Sequence, residues 1–197
     1  MKKIKQPQFS QFPEIPELER ELKREKYKRR YQRTLKSTIY VLVTVAAAAI
    51  LVATMWLPVL EIYGSSMTPT LNDGQIVLSW KTGKLESGQV VAFYYNNKIL
   101  VKRVIAHSGD WVNMDHEGNV YVNGNLLEEP YLVEKALGEC DIEFPYQVPE
   151  THIFVMGDHR STSIDSRSTA VGCVSEEQVV GRLIMCIWPL EDFGMIE

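Results

Sequence analysis

The pattern of apolar and polar positions changes twice along the chain. Residues 1–36 are polar with scattered apolar positions, and within ELERELKREKYKRRYQRTLK Glu and Lys recur at helical spacing, which predicts an exposed helix. Residues 37–60, STIYVLVTVAAAAILVATMWLPVL, hold no charged side chain. Beyond them, short runs rich in Val, Ile, Tyr and Phe alternate with Gly, Asn, Asp and Pro, the mark of many strands and few helices. Strands are expected at 75–80, 89–94, 99–107, 110–114, 120–122, 152–156 and 181–187. The pair Asn123-Gly124 after VYV signals a hairpin turn. Residues 128–150 show no clear period and read as an extended loop excursion. No repeat of 20 to 50 residues and no heptad is present.

A membrane-spanning helix needs about 20 apolar residues, which 37–60 supplies. A cleavable secretory leader would have an apolar run of about 7–15 residues close to the N-terminus, so an uncleaved anchor is expected. A buried core helix would need a second helix bundle around it, and the sequence offers none. Tyr40 and Trp56 suit the two interfaces. The organisation expected is therefore a cytoplasmic basic segment at 1–36, a transmembrane helix at 37–60 and an outer domain at 61–197. That domain should be mostly antiparallel β, as one closed or strongly coiled sheet.

Charge sets the orientation. Residues 1–36 hold twelve Lys or Arg against five Glu, a balance of +7, and because the whole chain carries −4 the remainder carries −11. The basic end should stay in the cytoplasm, which makes the protein single-pass in the cell membrane with 61–197 extracytoplasmic. Anionic headgroups attract such a segment without any special motif. Nucleic acid is not an expected partner, since Tyr27 and Tyr31 are the only aromatics among these basic residues. Hydrophobic content of 45% with 23% charged residues fits a folded chain and excludes disordered and collagen-like classes. Cys140, Cys173 and Cys186 are odd in number and lack metal spacing, so at least one thiol should be free.

Three segments carry candidate chemistry. Ser66 lies in GSSMTPTL, a small-residue turn that Pro69 restricts, and six residues beyond Leu60 span at most about 20 Å. Its hydroxyl therefore lies close to the membrane surface. Lys102 and Arg103 lie in NKILVKRVIAHSGD, where alternation puts Lys102 with Leu100 and Val104, and Arg103 with Val101 and Ile105. Either at least one cation is desolvated or it snorkels past the sheet edge. Desolvation lowers a lysine pKa by several units, and a neutral amine can take a proton from a serine hydroxyl without any histidine. The third segment, GDHRSTSIDSRST, reads by composition as a solvated polar loop held by Asp/Arg pairs, whose hydroxyls offer partners to a neutral lysine.

Together these segments resemble the bacterial type I signal peptidases, peptidase family S26, in the short single-anchor form of Gram-positive bacteria. Ser66-Met67-Thr68-Pro69-Thr70-Leu71 matches the pattern S-M-x-P-T-L. Lys102-Arg103-Val104 through Gly109-Asp110 matches K-R-V-x-x-x-x-G-D, and Gly157-Asp158, Arg160, Ser163 and Asp165-Ser166-Arg167 match the third box. The resemblance implies a mostly β, signal-peptidase-like coiled sheet domain behind one transmembrane helix. It implies a membrane-anchored serine endopeptidase that removes signal peptides from exported preproteins by a Ser/Lys dyad, with no metal or organic cofactor. Ser66 would be the nucleophile, Lys102 the general base and Ser163 the group that orients the lysine. Asp158, Arg160, Asp165 and Arg167 would support the site, the last two as an ion pair, and the Ser66 backbone N–H would donate to the oxyanion. Shallow apolar pockets for small side chains are expected from Ile62, Met67, Leu71 and Val101.

The chain departs from the family pattern at Gly64, where many members carry a serine that helps the oxyanion hole, at Ile105-Ala106-His107-Ser108 and at His159. A Ser/His/Asp hydrolase using His159 or His107 is a rival reading, though no G-x-S-x-G elbow supports it. A membrane-anchored β scaffold is another. The sequence sets neither the oligomeric state nor which preproteins are cleaved.

Overall fold

A computed structural model of the chain describes residues 15–81 and 83–196. Residues 1–14 of the expected basic segment, and Glu197 at the end of the expected outer domain, lie outside the described residues. The chain divides into two compact units between Leu51 and Val52.

The first helix, α1 (Ile15–Trp56), is continuous through the basic stretch and the apolar one. Pro16 sits in its first turn, where no backbone donor is needed, and Glu17 suits the positive end of the helix dipole. None of its residues is buried, and its apolar part reaches a mean hydropathy of 2.3. An apolar stretch exposed all round among the described residues suits lipid and speaks against a buried core helix. Its end corrects the expected boundary at residue 60. Leu57 precedes Pro58, which disfavours the helical region, and the next residues are taken into a sheet.

The second unit holds β1 (Val59–Glu61), β2 (Ile76–Trp80), β3 (Val90–Tyr95), β4 (Lys98–Ala106), β5 (Trp111–Met114), β6 (Val120–Val122), β7 (Asn125–Leu126), β8 (Tyr146–Gln147), β9 (His152–Met156), β10 (Val174–Ser175), β11 (Val179–Trp188) and β12 (Gly194–Met195). The class is mostly antiparallel β, as expected, but there are two sheets rather than one. The larger runs β1-β2-β11-β3-β4-β9-β10 with β12 on β11, and the smaller runs β7-β6-β5-β8. Short strands such as β1, β8, β10 and β12 escaped the sequence because two or three residues cannot show alternation.

Alternation does place the core. Val77, Leu183 and Cys186 turn inward with Ile62, Met67 and Leu71, forming one cluster beneath the segment that follows β1. The opposite face of β1, β2, β11 and β12 points outward. Val59 lies opposite Leu78, Leu78 opposite Met185, and Met185 opposite Met195. Val59, Trp80, Trp188, Leu190, Phe193 and Met195 are all exposed there or beside it. All three cysteines are free thiols.

Candidate active site

Ser66 opens a run of turns between β1 and β2. Thr68 donates to the Ser65 carbonyl through its N–H (3.2 Å) and its hydroxyl (2.8 Å), and Leu71 N–H donates to the Met67 carbonyl (2.9 Å). Met67 and Leu71 are buried in the core and peg the turn to the sheet. Upstream, Gly64 has φ +88°, a conformation that favours glycine, and its N–H donates to Asp73 Oδ1 at 2.6 Å. Across the turn, His159 N–H donates to the Ser66 carbonyl at 3.0 Å. The His159 ring is 2.9 Å from Thr68 Oγ1 through Nδ1. Because the single Thr68 hydroxyl proton goes to Ser65, Nδ1 is the donor in that pair. The Ser66 backbone N–H has no intramolecular acceptor among the described residues.

Lys102 sits on β4 opposite Val91 and donates from Nζ to Ser66 Oγ at 2.6 Å. It is 3% exposed. Burial pushes the amine pKa down from 10.5 to about 8; the Asp165 carboxylate opposes this, Arg167 adds to it and Asp158 opposes it. About one amine in ten is then neutral at pH 7. Neither cation of the pair snorkels. Arg103 is buried too, forking onto Asp158 through Nε (2.9 Å) and Nη2 (2.7 Å), donating to the Gly88 carbonyl (2.6 Å) and stacking on Tyr131 with its Cζ 3.9 Å from the ring centroid.

The third segment is a buried scaffold rather than a solvated loop. Asp158, Arg160, Ser163, Asp165, Ser166 and Arg167 are all buried. Arg167 pairs with Asp165 through two hydrogen bonds of 2.8 Å, and its remaining donors reach the carbonyls of Arg160 (3.0 Å) and Leu137 (2.7 Å). Burial resists ionisation of Asp165, but the Arg167 hydrogen bonds and charge and the Gly157 N–H outweigh it and hold its pKa below the usual carboxylate range. Arg160 forms a buried ion pair with Glu129. The excursion that showed no period is thus tied to the site through Glu129, Tyr131 and the Leu137 carbonyl, and no sequence signal marks these partners.

The hydrogen bond expected from Ser163 to Lys102 is not formed. Ser163 Oγ is buried and makes no hydrogen bond of ordinary geometry among the described residues, and the Asp165 carboxylate feels it only weakly. Packing explains its place, because a Cβ on Gly157 would collide with Ser163 Oγ, lie 2.5 Å from Ser163 Cβ and lie 2.6 Å from the Ser66 carbonyl oxygen. Residue 157 must be glycine for the serine turn and the third segment to touch.

A groove of about 650 Å³ leads to the pair. Ser66 and Lys102 line it together with Ile62, Met67 and Val101. Leu71 is not on its wall: it is 1% exposed in the core, because the Leu71 N–H to Met67 bond turns it under the chain. Leu60 and Leu100 line the groove in addition. The groove has two strand edges as sides. Among the described residues β1 pairs only with β2, and the 98–102 half of β4 pairs only with β3, since pairing with β9 starts at Arg103 of β4. Among the described residues no group of three or more His, Cys, Asp or Glu side chains is placed to hold a metal ion.

Residues 35–188 match the family described as signal peptidase, peptidase S26. Signal peptidase IB of Staphylococcus aureus is 38% identical over 152 residues, covering 67% of this chain and 78% of the relative. Signal peptidase I of Bacillus licheniformis is 34% identical over 165 residues, covering 77% of this chain and 87% of the relative. A crystal structure of a signal peptidase I from Enterococcus faecalis V583 aligns with a TM-score of 0.45 at 28% identity, over 52% of this chain and 99% of that one.

Proposed function

The chain belongs to the signal peptidase family, peptidase S26, and from that premise we propose that Ser66 and Lys102 are the nucleophile and general base of its reaction. The protein is a serine peptidase that removes signal peptides from preproteins. The observation that carries the assignment is the 2.6 Å bond between a buried amine and a hydroxyl at the end of an apolar groove.

The cleavage proceeds by acyl transfer. Neutral Lys102 takes the Ser66 hydroxyl proton as Oγ attacks the substrate carbonyl, and the free Ser66 N–H donates to the oxyanion. The ammonium returns its proton to the leaving amine, and the signal peptide is left as an ester on Ser66. Lys102 then deprotonates a water that hydrolyses the ester. Ser163, whose buried Oγ makes no hydrogen bond of ordinary geometry among the described residues, is the hydroxyl left to orient the amine. Gly64 offers no side-chain donor, and its N–H is taken by Asp73, so the oxyanion rests chiefly on one N–H.

The substrate binds by strand addition. Four antiparallel steps separate β1 from β4, so the two edges run parallel to each other. A signal peptide with its C-terminal end at Ser66 runs in the same direction between them. Ile62, Met67 and Val101, with Leu60 and Leu100, leave shallow depressions that fit small side chains. Arg103–Asp158, Arg160–Glu129 and Arg167–Asp165 fix the scaffold around the amine.

The helix α1 contains a stretch long and apolar enough to cross a membrane. The +7 balance of residues 1–36 keeps that end cytoplasmic and puts the β unit outside. The apolar outer face of β1, β2, β11 and β12, with Trp80 and Trp188, favours contact with the bilayer near the anchor. A nucleophile ten residues beyond the helix end at Trp56, and so at most about 35 Å from it along the chain, meets cleavage sites where they emerge.

The test is to incubate the detergent-solubilised protein with a preprotein and sequence the new N-terminus. Ser66→Ala and Lys102→Ala should each lower turnover by at least about a thousandfold. His159→Ala should cost less than about tenfold, because its ring faces Thr68 and its backbone N–H, which holds Ser66, remains. Intact turnover in either dyad variant removes the mechanism, and complete loss in His159→Ala would favour a histidine base.

A further inference from the structure

The open lane beside β4 does not continue past the dyad. From Arg103 onward it is filled by β9, with Arg103 opposite Met156, and Gly157, Asp158 and His159 follow directly at the lane's end. A peptide lying in the lane up to Ser66 therefore meets this segment head-on. The residues after the scissile bond must turn outward across the other side of the serine turn.

On that side lies a depression of about 210 Å³ lined by Thr68, Pro69, Val133, Glu134, Asp158 and His159. It adjoins the nucleophile directly, since its His159 holds the Ser66 carbonyl. Two of its polar groups are already engaged: Asp158 by Arg103 and Thr70, and the His159 ring by Thr68. Glu134 differs. It is exposed, and among the described residues its carboxylate makes no hydrogen bond or ion pair. Beside it Val133 is 82% exposed, an apolar side chain projecting from an excursion that Glu129 and Tyr131 clamp a few residues earlier. The surrounding unit is strongly acidic, and four of its nine cations, Lys102, Arg103, Arg160 and Arg167, are buried.

We propose that this depression receives the first residues of the mature segment, and that the Glu134 carboxylate makes the enzyme prefer a basic over an acidic side chain there. The inference rests on the Ser66/Lys102 reading, because it takes the position of the scissile bond from it. The occupant is the substrate's own continuation, as the depression is the next concave surface beyond the groove end.

The experiment uses the full-length protein in detergent and peptides spanning a cleavage site, with Lys, Gln or Glu at the first, second or third mature position in turn. The readout is the ratio of kcat/KM for the Lys and Glu peptides. At low salt the wild type should favour Lys roughly three- to tenfold at one of these positions, with the ratio falling toward one at about 1 M salt. Glu134→Gln should bring the low-salt ratio close to one, and Glu134→Lys should invert it. A wild-type ratio within twofold of one at all three positions overturns the proposal, as does a ratio that salt or both variants leave unchanged. Cleavage of the Gln peptides, and its loss in Ser66→Ala, tests the dyad separately, so the two readings fail in distinguishable ways.

Discussion

Lys102 and Arg103 are adjacent on β4 and both buried, yet only the arginine has a carboxylate in ion-pair contact. Asp158 neutralises Arg103, whereas the Lys102 amine faces a hydroxyl. One strand thus carries a permanent cation held by a carboxylate and a titratable amine held by a hydroxyl, because guanidinium stays charged under burial and ammonium does not.

The activity should follow the neutral amine. A protonated lysine cannot accept a proton, so kcat/KM should rise about tenfold per pH unit on the acid side and level off above an apparent pKa of about 8. A pH–rate profile with one preprotein checks this. An acid limb centred near the ordinary histidine value of about 6.5 would point to a different base.

Lys102→Met should stabilise the inactive protein at neutral pH. The gap between 10.5 and about 8, at about 1.36 kcal/mol per pH unit, corresponds to roughly 3 kcal/mol, so a gain of about 1–3 kcal/mol is expected. The sign follows from proton binding: between about 8 and 10.5 the unfolded wild type binds the extra proton, so wild-type stability rises with pH there. The advantage of Lys102→Met should therefore shrink as pH rises from 7 to 10, which denaturant titrations at the two pH values would show.

Gly157→Ala puts a methyl group 2.6 Å from the Ser66 carbonyl oxygen and against Ser163. The turn must shift to admit it. A displacement of about 1 Å can cost about a hundredfold in rate, and overpacking costs about 1–3 kcal/mol. Turnover should therefore fall far more than thermal stability, with both measured on the same preparation.

Glu129→Gln removes the negative partner of buried Arg160. An uncompensated buried charge costs about 3–5 kcal/mol, so the midpoint of thermal unfolding should drop by several degrees. Replacing both residues, as Glu129→Leu with Arg160→Met, should recover most of that loss because no charge is then left alone in the interior. A double-mutant cycle read from unfolding midpoints checks both statements.

The two sequence alternatives for the Lys102-Arg103 pair, snorkelling or desolvation, could not be separated along the strand. Periodicity tells which residues share a face but not what covers it. What covers Arg103 comes from Asp158 and Tyr131, and what covers Arg160 comes from Glu129, across separations that no local pattern spans. Leu71 shows the same limit from the other side. It is apolar and close to Ser66 in sequence, yet the Met67–Leu71 turn carries it beneath the chain and off the groove wall.

Local chemistry alone determined the apolar stretch, the basic segment before it, the alternating strands and the three segments that carry Ser66, Lys102 and the Asp/Arg scaffold, since each depends on residues close together in the chain. The tertiary structure decided that the helix ends at Trp56, that the lysine is dry and touches the serine, and that Gly157 is the contact point between turn and scaffold. It also decided where the groove stops. Those outcomes depend on which distant strands become neighbours, and desolvation, the quantity that sets the chemistry of the amine, exists only once they have packed together.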